Sequence, residues 1–286
     1  MTNIDQGPRL TQRPELERPE IVQTGVLRQS LSITRRNLVH IKRMPEMLMD
    51  VTIQPVMFVL LFAFVFGSSI DIETAAGYKA WLLGGIMAQT VAFSSFIVAV
   101  GLTADLEKGI VDRMRSLPIN PASVLIGRSI SSLMHSSIGL VVMSLTGLLI
   151  GWRINTNVAE AALGYLLLVG WGFAMIWIGI LAGSAMRSVE AVNGVMFATM
   201  FPITFLANTF APTDNMPPVL RAVAEWNPIS SLTQAVRELW GNDYPLREGA
   251  ALPLQHPVLA TFVWILVITA VVAPLAIRTF NKRTAS

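Results

Sequence analysis

The chain has 286 residues, of which 53% are hydrophobic and only 14% charged, with a net charge of +3 at neutral pH and a mean hydropathy of +0.57. Soluble domains are about one-quarter charged, so this is a membrane composition, and a length that suits two soluble domains here suits a single helical bundle. The absence of cysteine excludes disulfides, thiolate metal sites and cysteine nucleophiles. His40, His135 and His256 are too scattered for metal-ligand spacing, and no basic, aromatic-bearing soluble surface of the kind that binds nucleic acid is visible.

Residues 1–20 mix both signs of charge with Pro8, Pro14 and Pro19 and show no apolar period, which predicts a disordered tail. No apolar core precedes Val51, so no secretory signal is read and the tail is expected to stay in the cytoplasm. Over 21–44, Arg28, Arg35 and Lys42 stack on one helical stripe with Arg36 and Arg43 beside it, while Leu27, Leu31, Leu38 and Ile41 fall opposite. That pattern predicts a basic amphipathic helix lying at an anionic lipid surface. Six apolar spans follow at 51–67, 81–104, 129–151, 161–185, 189–211 and 258–277, each near the 17 to 25 residues a bilayer core requires. The first is short and carries Gln54-Pro55, so it is expected either to break there or to extend back toward Pro45. Between the fifth and sixth spans, Pro217-Pro218 opens a helix with Val219, Leu220, Val223 and Trp226 on one face. Asn227-Pro228 breaks it, and Ser230 or Ser231 is read as the cap of a second helix with Leu232, Ala235, Val236 and Leu239 on one side. The fold expected is thus an all-α polytopic membrane protein.

With the N-terminus inside, thirteen Lys and Arg beyond the tail 1–20 fall on the cytoplasmic side and five, namely Lys79, Arg153, Arg221, Arg237 and Arg247, on the other. The positive-inside rule then places both termini and the loop 105–128 in the cytoplasm of a multi-pass cell-membrane protein. That loop, DLEKGIVDRMRSLPINPASVLIGR, carries seven charges and is longer than connectivity requires. A short charge-laced helix with Ile110, Met114 and Leu117 on its apolar side would make it a docking surface; a solvated loop whose arginines only fix topology fits equally well.

The spacing Glu107-x-Gly109, then Asp112-Arg113-Met114-Arg115, then Pro118 resembles the loop between the second and third spans of ABC-2 type exporter permeases, where an E-x-G-x-x-x-x-[LM]-[RK]-x-x-P pattern recurs. The stretch 201–239, with Phe201-Pro202, Phe210-Ala211-Pro212, Met216-Pro217 and Asn227-Pro228, is similar to that family's exit from the fifth span. The likeness covers the chain from about residue 25 and is strongest to the daunorubicin-resistance type of drug-exporter permease. It implies an ABC-2 type transmembrane domain over 21–286, with an elbow helix at 21–44 and a coupling helix in the loop 105–128. It also implies a second permease copy, identical or related, and two copies of a separate ATPase that bind ATP and magnesium. Glu107, Lys108, Gly109, Asp112, Arg113, Arg115 and Pro118 become the ATPase-coupling residues, although the motif often carries Arg or Glu where Lys108 stands. Gly109 is expected to allow a tight turn or a close approach. No G-x-x-x-x-G-K-[ST] loop is present, so the chain is read as a permease without a nucleotide site or other cofactor of its own.

Polar and aromatic residues inside the spans mark a candidate pathway for a small amphiphilic compound: Gln54 on the first span, Gln89, Phe93 and Phe96 on the second, and Asn193, Phe197, Met200 and Thr204 on one face of the fifth. Interhelical hydrogen bonding accounts for any one of the amides as well. Glu190 is placed near the interface by Arg187, and Gly179 with Gly183 reads as a helix-packing pair. Export of a drug or similar amphiphile is the leading function, with export of a lipid or glycan as its alternative. An intramembrane enzyme lacks paired aspartates, an H-E-x-x-H motif and a Ser-His arrangement. An ion-coupled carrier lacks carboxylates within its spans.

Overall fold

A computed structural model describes residues 45–66, 77–109, 121–243 and 245–285. Those residues form helices and turns, with no strand among them. The elbow residues Arg28, Arg35, Arg36, Lys42 and Arg43, and the loop residues Asp112, Arg113, Arg115 and Pro118, lie outside this described set.

Helix α1 spans Pro45–Leu61 and runs on through a π-turn at Phe62–Phe66. It starts at Pro45 and continues through Pro55 without a break. Helices α2 (Gly77–Glu107), α3 (Pro121–Leu149) and α4 (Val158–Ala185) follow, then α5 (Val189–Phe205), the short α6 (Pro218–Trp226) and α7 (Pro228–Trp240), one turn of helix α8 (Leu252–Gln255), and α9 (Pro257–Ala285). Four helices among the described residues, α2, α3 from Leu125, α4 and α9, are long and apolar enough to cross a bilayer, where six spans were expected. The remaining two apolar stretches, in α1 and α5, are shorter.

Several boundaries move from their expected places. Asp105, Leu106 and Glu107 belong to the last turn of α2 rather than to a loop helix of their own. Gly109 ends that helix with φ +62°, the left-handed conformation open to a residue without Cβ, and its N–H donates to Leu106 O at 3.1 Å. Helix α3 begins at Pro121, a proline suited to a first turn because the missing N–H would have no partner there. Helix α5 ends at Phe205 instead of 211: Leu206 N–H closes it on Pro202 O at 2.9 Å, and Ala207, Asn208 and Thr209 then turn into the interior. Helix α7 starts at Pro228 with Asn227 as its cap, since Asn227 Oδ1 accepts from Ile229 N–H at 2.9 Å. Ser230 is left free to accept from Asn208 N–H at 3.0 Å.

The core forms around α2, which packs most extensively on α4, while α4 also packs on α9. Two glycines of α4 set the α2–α4 distance. A Cβ at Gly183 would come within 2.6 Å of Ala99 O, and one at Gly179 would collide with Ser95 O. This is the small-x-x-x-small contact by which helix backbones approach closely in lipid. Helix α7, expected to be apolar on one side only, is instead buried nearly all round, Ser230, Ser231, Thr233, Gln234 and Arg237 included, because it inserts among α2, α4 and α9. Helix α6 keeps the expected one-sided character, with Val219, Leu220, Val223 and Trp226 exposed. It is tied down on its other side, where Arg221 donates to the carbonyls of Thr213, Asp214 and Met216 and the Glu225 carboxylate accepts from Ala251 N–H at 2.9 Å.

Candidate functional site

The polar block leaves the bundle where α2 ends and α3 begins, and here side chains from distant elements meet. Arg128 on α3 donates to Asp105 Oδ2 on α2 at 2.5 Å, joining the two helices that flank the block. Two residues on, Glu107 points to the start of α5 and accepts from Val189 N–H through Oε1 at 3.0 Å. The first turn of any helix leaves N–H groups without intrahelical partners and concentrates positive dipole there. Helix α5 therefore receives a carboxylate from α2 as well as its own cap, Ser188, whose Oγ accepts from Ala191 N–H at 3.2 Å.

The preceding helix end is served in the complementary way. Carbonyls in the last turn of a helix lack donors and carry negative dipole. Thr103 Oγ1 on α2 is shared between Ala99 O at 3.0 Å on its own helix and Gly183 O at 3.1 Å, and Nη1 of Arg283, near the end of α9, faces Gly183 O at 3.0 Å, Ser184 O at 3.3 Å and Met186 O. The turn between α4 and α5 thus has a cation at the C-terminus it leaves and a carboxylate at the N-terminus it enters. Of the sequence-derived coupling set, Glu107, Lys108 and Gly109 stand at this corner, with Lys108 exposed. Sequence reasoning missed the contributions of Thr103 and Arg283 and the pairing of Arg128 with Asp105. A basic residue close to a terminus reads only as a topology signal, and nothing in its spacing names the carbonyls it meets.

At the opposite end of the bundle a second polar cluster is wholly interior. Arg237, counted with the external charges by sequence, is 1% exposed. Its Nε donates to Trp81 O at 2.8 Å and its Nη2 to Asn208 O at 3.0 Å and Thr209 O at 3.2 Å, while its guanidinium lies 3.5 Å from the centre of the Trp81 ring. The burial follows from α7 inserting into the bundle: a planar, weakly hydrated guanidinium can satisfy three carbonyls and an aromatic face at once, which an ammonium cannot. Loss of water pushes its pKa well below the ordinary arginine value. The cluster ties α7 to α2 and to the inward turn after α5.

The predicted pathway residues divide into three groups. Gln89, Met200 and Thr204 are buried, Phe93 and Phe96 are half-buried against the core, and Gln54, Asn193 and Phe197 are exposed. The buried positions of α5 are Val192, Met196, Met200 and Thr204. A strict four-residue stripe drifts around a 3.6-residue helix, so α5 crosses its neighbour obliquely and one sequence-derived face is split between interior and exterior. Met200 reaches Ser95 Oγ on α2 at 3.5 Å. It also lines a cavity of about 370 Å³ with Trp171, Met175 and Ile178 of α4, Ile203 of α5, Val223 of α6 and Ile268 of α9. Outside, Phe197, Phe201 and Phe205 stack with centroid separations of 5.2 and 4.2 Å, and Phe205 continues to Phe210 at 5.2 Å. The four-residue spacing of these rings was available in the sequence as the signal for this ladder.

Comparison with known proteins agrees with the architecture. The profile of a family described as ABC-2 type transporter matches residues 28–239. The daunorubicin resistance ABC transporter permease protein DrrB1 of Streptomyces coeruleorubidus is 26% identical over 251 residues, which cover 87% of this chain and 85% of that one. The putative transport permease ycf38 of Porphyra purpurea is 23% identical over 80% of this chain and 79% of its own length. The probable multidrug ABC transporter permease YbhR of Escherichia coli (strain K12) is 22% identical over 59% of this chain and 46% of its own. With long apolar helices in a single bundle and a family match across most of its length, the chain belongs to the ABC-2 type transporter family of membrane proteins.

Proposed function

We propose that this chain is the permease subunit of an ATP-driven exporter that moves a drug, antibiotic or other amphiphilic compound out of the cell. In this reading six spans cross the cell membrane, both termini are cytoplasmic, the segment 21–44 is the interfacial elbow, and a second permease copy and two ATPase subunits complete the machine. The loop residues Lys108, Asp112, Arg113, Arg115 and Pro118 seat against the ATPase, which alone binds ATP and magnesium.

The observation that carries the reading is the anchoring of the polar block. It emerges from two long helices joined by Arg128 and Asp105 and begins beside the corner held by Glu107, so a push on it is delivered to helix ends rather than dissipated in a slack loop. The name of the DrrB1 relative supports the substrate class, as does the aromatic ladder on α5, whose flat apolar faces suit a planar amphiphile.

The test is accumulation of daunorubicin in cells carrying the chain, its ATPase, both or neither. Lower accumulation only with both is expected; equal accumulation in all four removes the drug reading. The purified chain alone is expected to hydrolyse no ATP, and robust hydrolysis would overturn the subunit assignment. A lipid cargo is the second reading, favoured by the almost wholly apolar lining of the 370 Å³ cavity. ATP-dependent flipping of a fluorescent phospholipid in vesicles, with daunorubicin left unmoved, would select it.

A further inference from the structure

We propose that Glu107 and Arg283 are positioning residues for coupling. From the ends of α2 and α9 they grip the turn between α4 and α5, so that displacement of the polar loop is passed directly to α5. This rests on the exporter reading and adds a route within the permease.

Three features of the corner support the assignment. First, Glu107 is the last helical residue before the polar block, so whatever moves the block moves this carboxylate, and the carboxylate holds Val189 N–H at the first position of α5. A carboxylate on a helix N-terminus is favoured by both hydrogen bonding and the helix dipole. Second, the Arg283 guanidinium reaches the carbonyls of Gly183 and Ser184 in the last turn of α4 from near the end of α9, so a cation from another helix holds the C-terminus at which the turn begins. Third, the Thr103 hydroxyl, one turn before Glu107 on the same helix, is shared between Ala99 O and Gly183 O, so α2 touches both the end of α4 and the start of α5. Static capping of two helix ends needs only residues from the turn itself, as Ser188 provides for Ala191. Here the extra caps come from α2 and α9, and α5, the helix so gripped, bears Asn193, Phe197 and Phe201 on its open side. A movement entering at Glu107 therefore reaches that face directly through the first residue of α5.

The test uses two readouts on Glu107→Ala, Glu107→Gln, Arg283→Ala and Arg283→Lys. In the purified full chain in lipid nanodiscs, amide exchange at Val189 is expected to rise about tenfold in Glu107→Ala, the loss of one charge-assisted hydrogen bond. Exchange should stay near the wild-type rate in Glu107→Gln, whose amide oxygen still accepts. In vesicles holding the chain with its ATPase, daunorubicin moved per ATP hydrolysed should fall several-fold in Glu107→Ala and Arg283→Ala while hydrolysis continues, with partial recovery in Glu107→Gln and Arg283→Lys. Unchanged exchange at Val189 overturns the cap, and raised exchange with a wild-type transport ratio shows a cap without a relay and overturns the proposal. If the wild-type complex moves no daunorubicin while hydrolysing ATP, the drug-exporter reading fails and takes the relay with it, an outcome distinct from a coupled wild type with coupled variants.

Discussion

Helices α2 and α9 are alike in length, 31 and 29 residues, yet 72% of the apolar stretch of α2 is buried against 6% of that of α9. The more exposed helix is the more apolar of the two. In water that order would be reversed, whereas in a bilayer the lipid is as apolar as leucine and the interior is selected by close fit and hydrogen bonding. Helix α2 accordingly offers Gly84, Gly85, Ala88, Ser95 and Ala99 to its neighbours, and α9 turns Leu259, Phe262, Val263, Leu266 and Val267 outward. Hydropathy finds both helices; small residues say which one lies at the centre.

Substitutions can break this contrast at graded strength. Gly179→Leu puts a branched side chain against the backbone of α2, where even a Cβ would collide with Ser95 O. It is expected to cost about 3 kcal/mol or more, read as loss of the folded fraction in detergent unfolding, and a wild-type profile would show that the two helices do not meet as described. Arg237→Ala leaves the carbonyls of Trp81, Asn208 and Thr209 without their donor, with an expected loss of about 2 to 3 kcal/mol. Arg237→Lys should recover only part of it, because an ammonium lacks the planar fork. Asp105→Asn weakens a partly exposed ion pair with Arg128 and should cost roughly 0.5 to 1 kcal/mol, shrinking as salt is raised. Leu266→Ala on the open face of α9, where Leu266 is 57% exposed, should change stability by about 0.5 kcal/mol or less. A loss there as large as that of Gly179→Leu would erase the distinction between centre and periphery.

The sequence made the helical class, the apolar segments and the broken pair α6–α7 legible, since each rests on local signals: long apolar runs, Pro217-Pro218 and Asn227-Pro228. The motif singled out Glu107, which stands at the corner where α4 turns into α5. Its partner there, Val189, lies 82 positions away, and no periodicity reports such a meeting. Three misreadings share a cause. Asp105 to Glu107 read as loop because they are charged, α7 reads as buried on its apolar side only although Arg237 and its polar neighbours are buried too, and the α5 face is grouped by helical angle alone. In each case tertiary partners, whether an arginine across the corner, a set of carbonyls or an oblique crossing, decided what a local rule could not.

The contact at Gly179 and Gly183 has a mechanical consequence. Where main chain rests on main chain at these two glycines, α2 and α4 have no side chain to take up a sliding shift, so the two helices are expected to move together at that point. Sliding within the bundle then falls to α5 and α9, which meet α2 and α4 through side chains such as Met200 against Ser95 and Ile265 against Gly170.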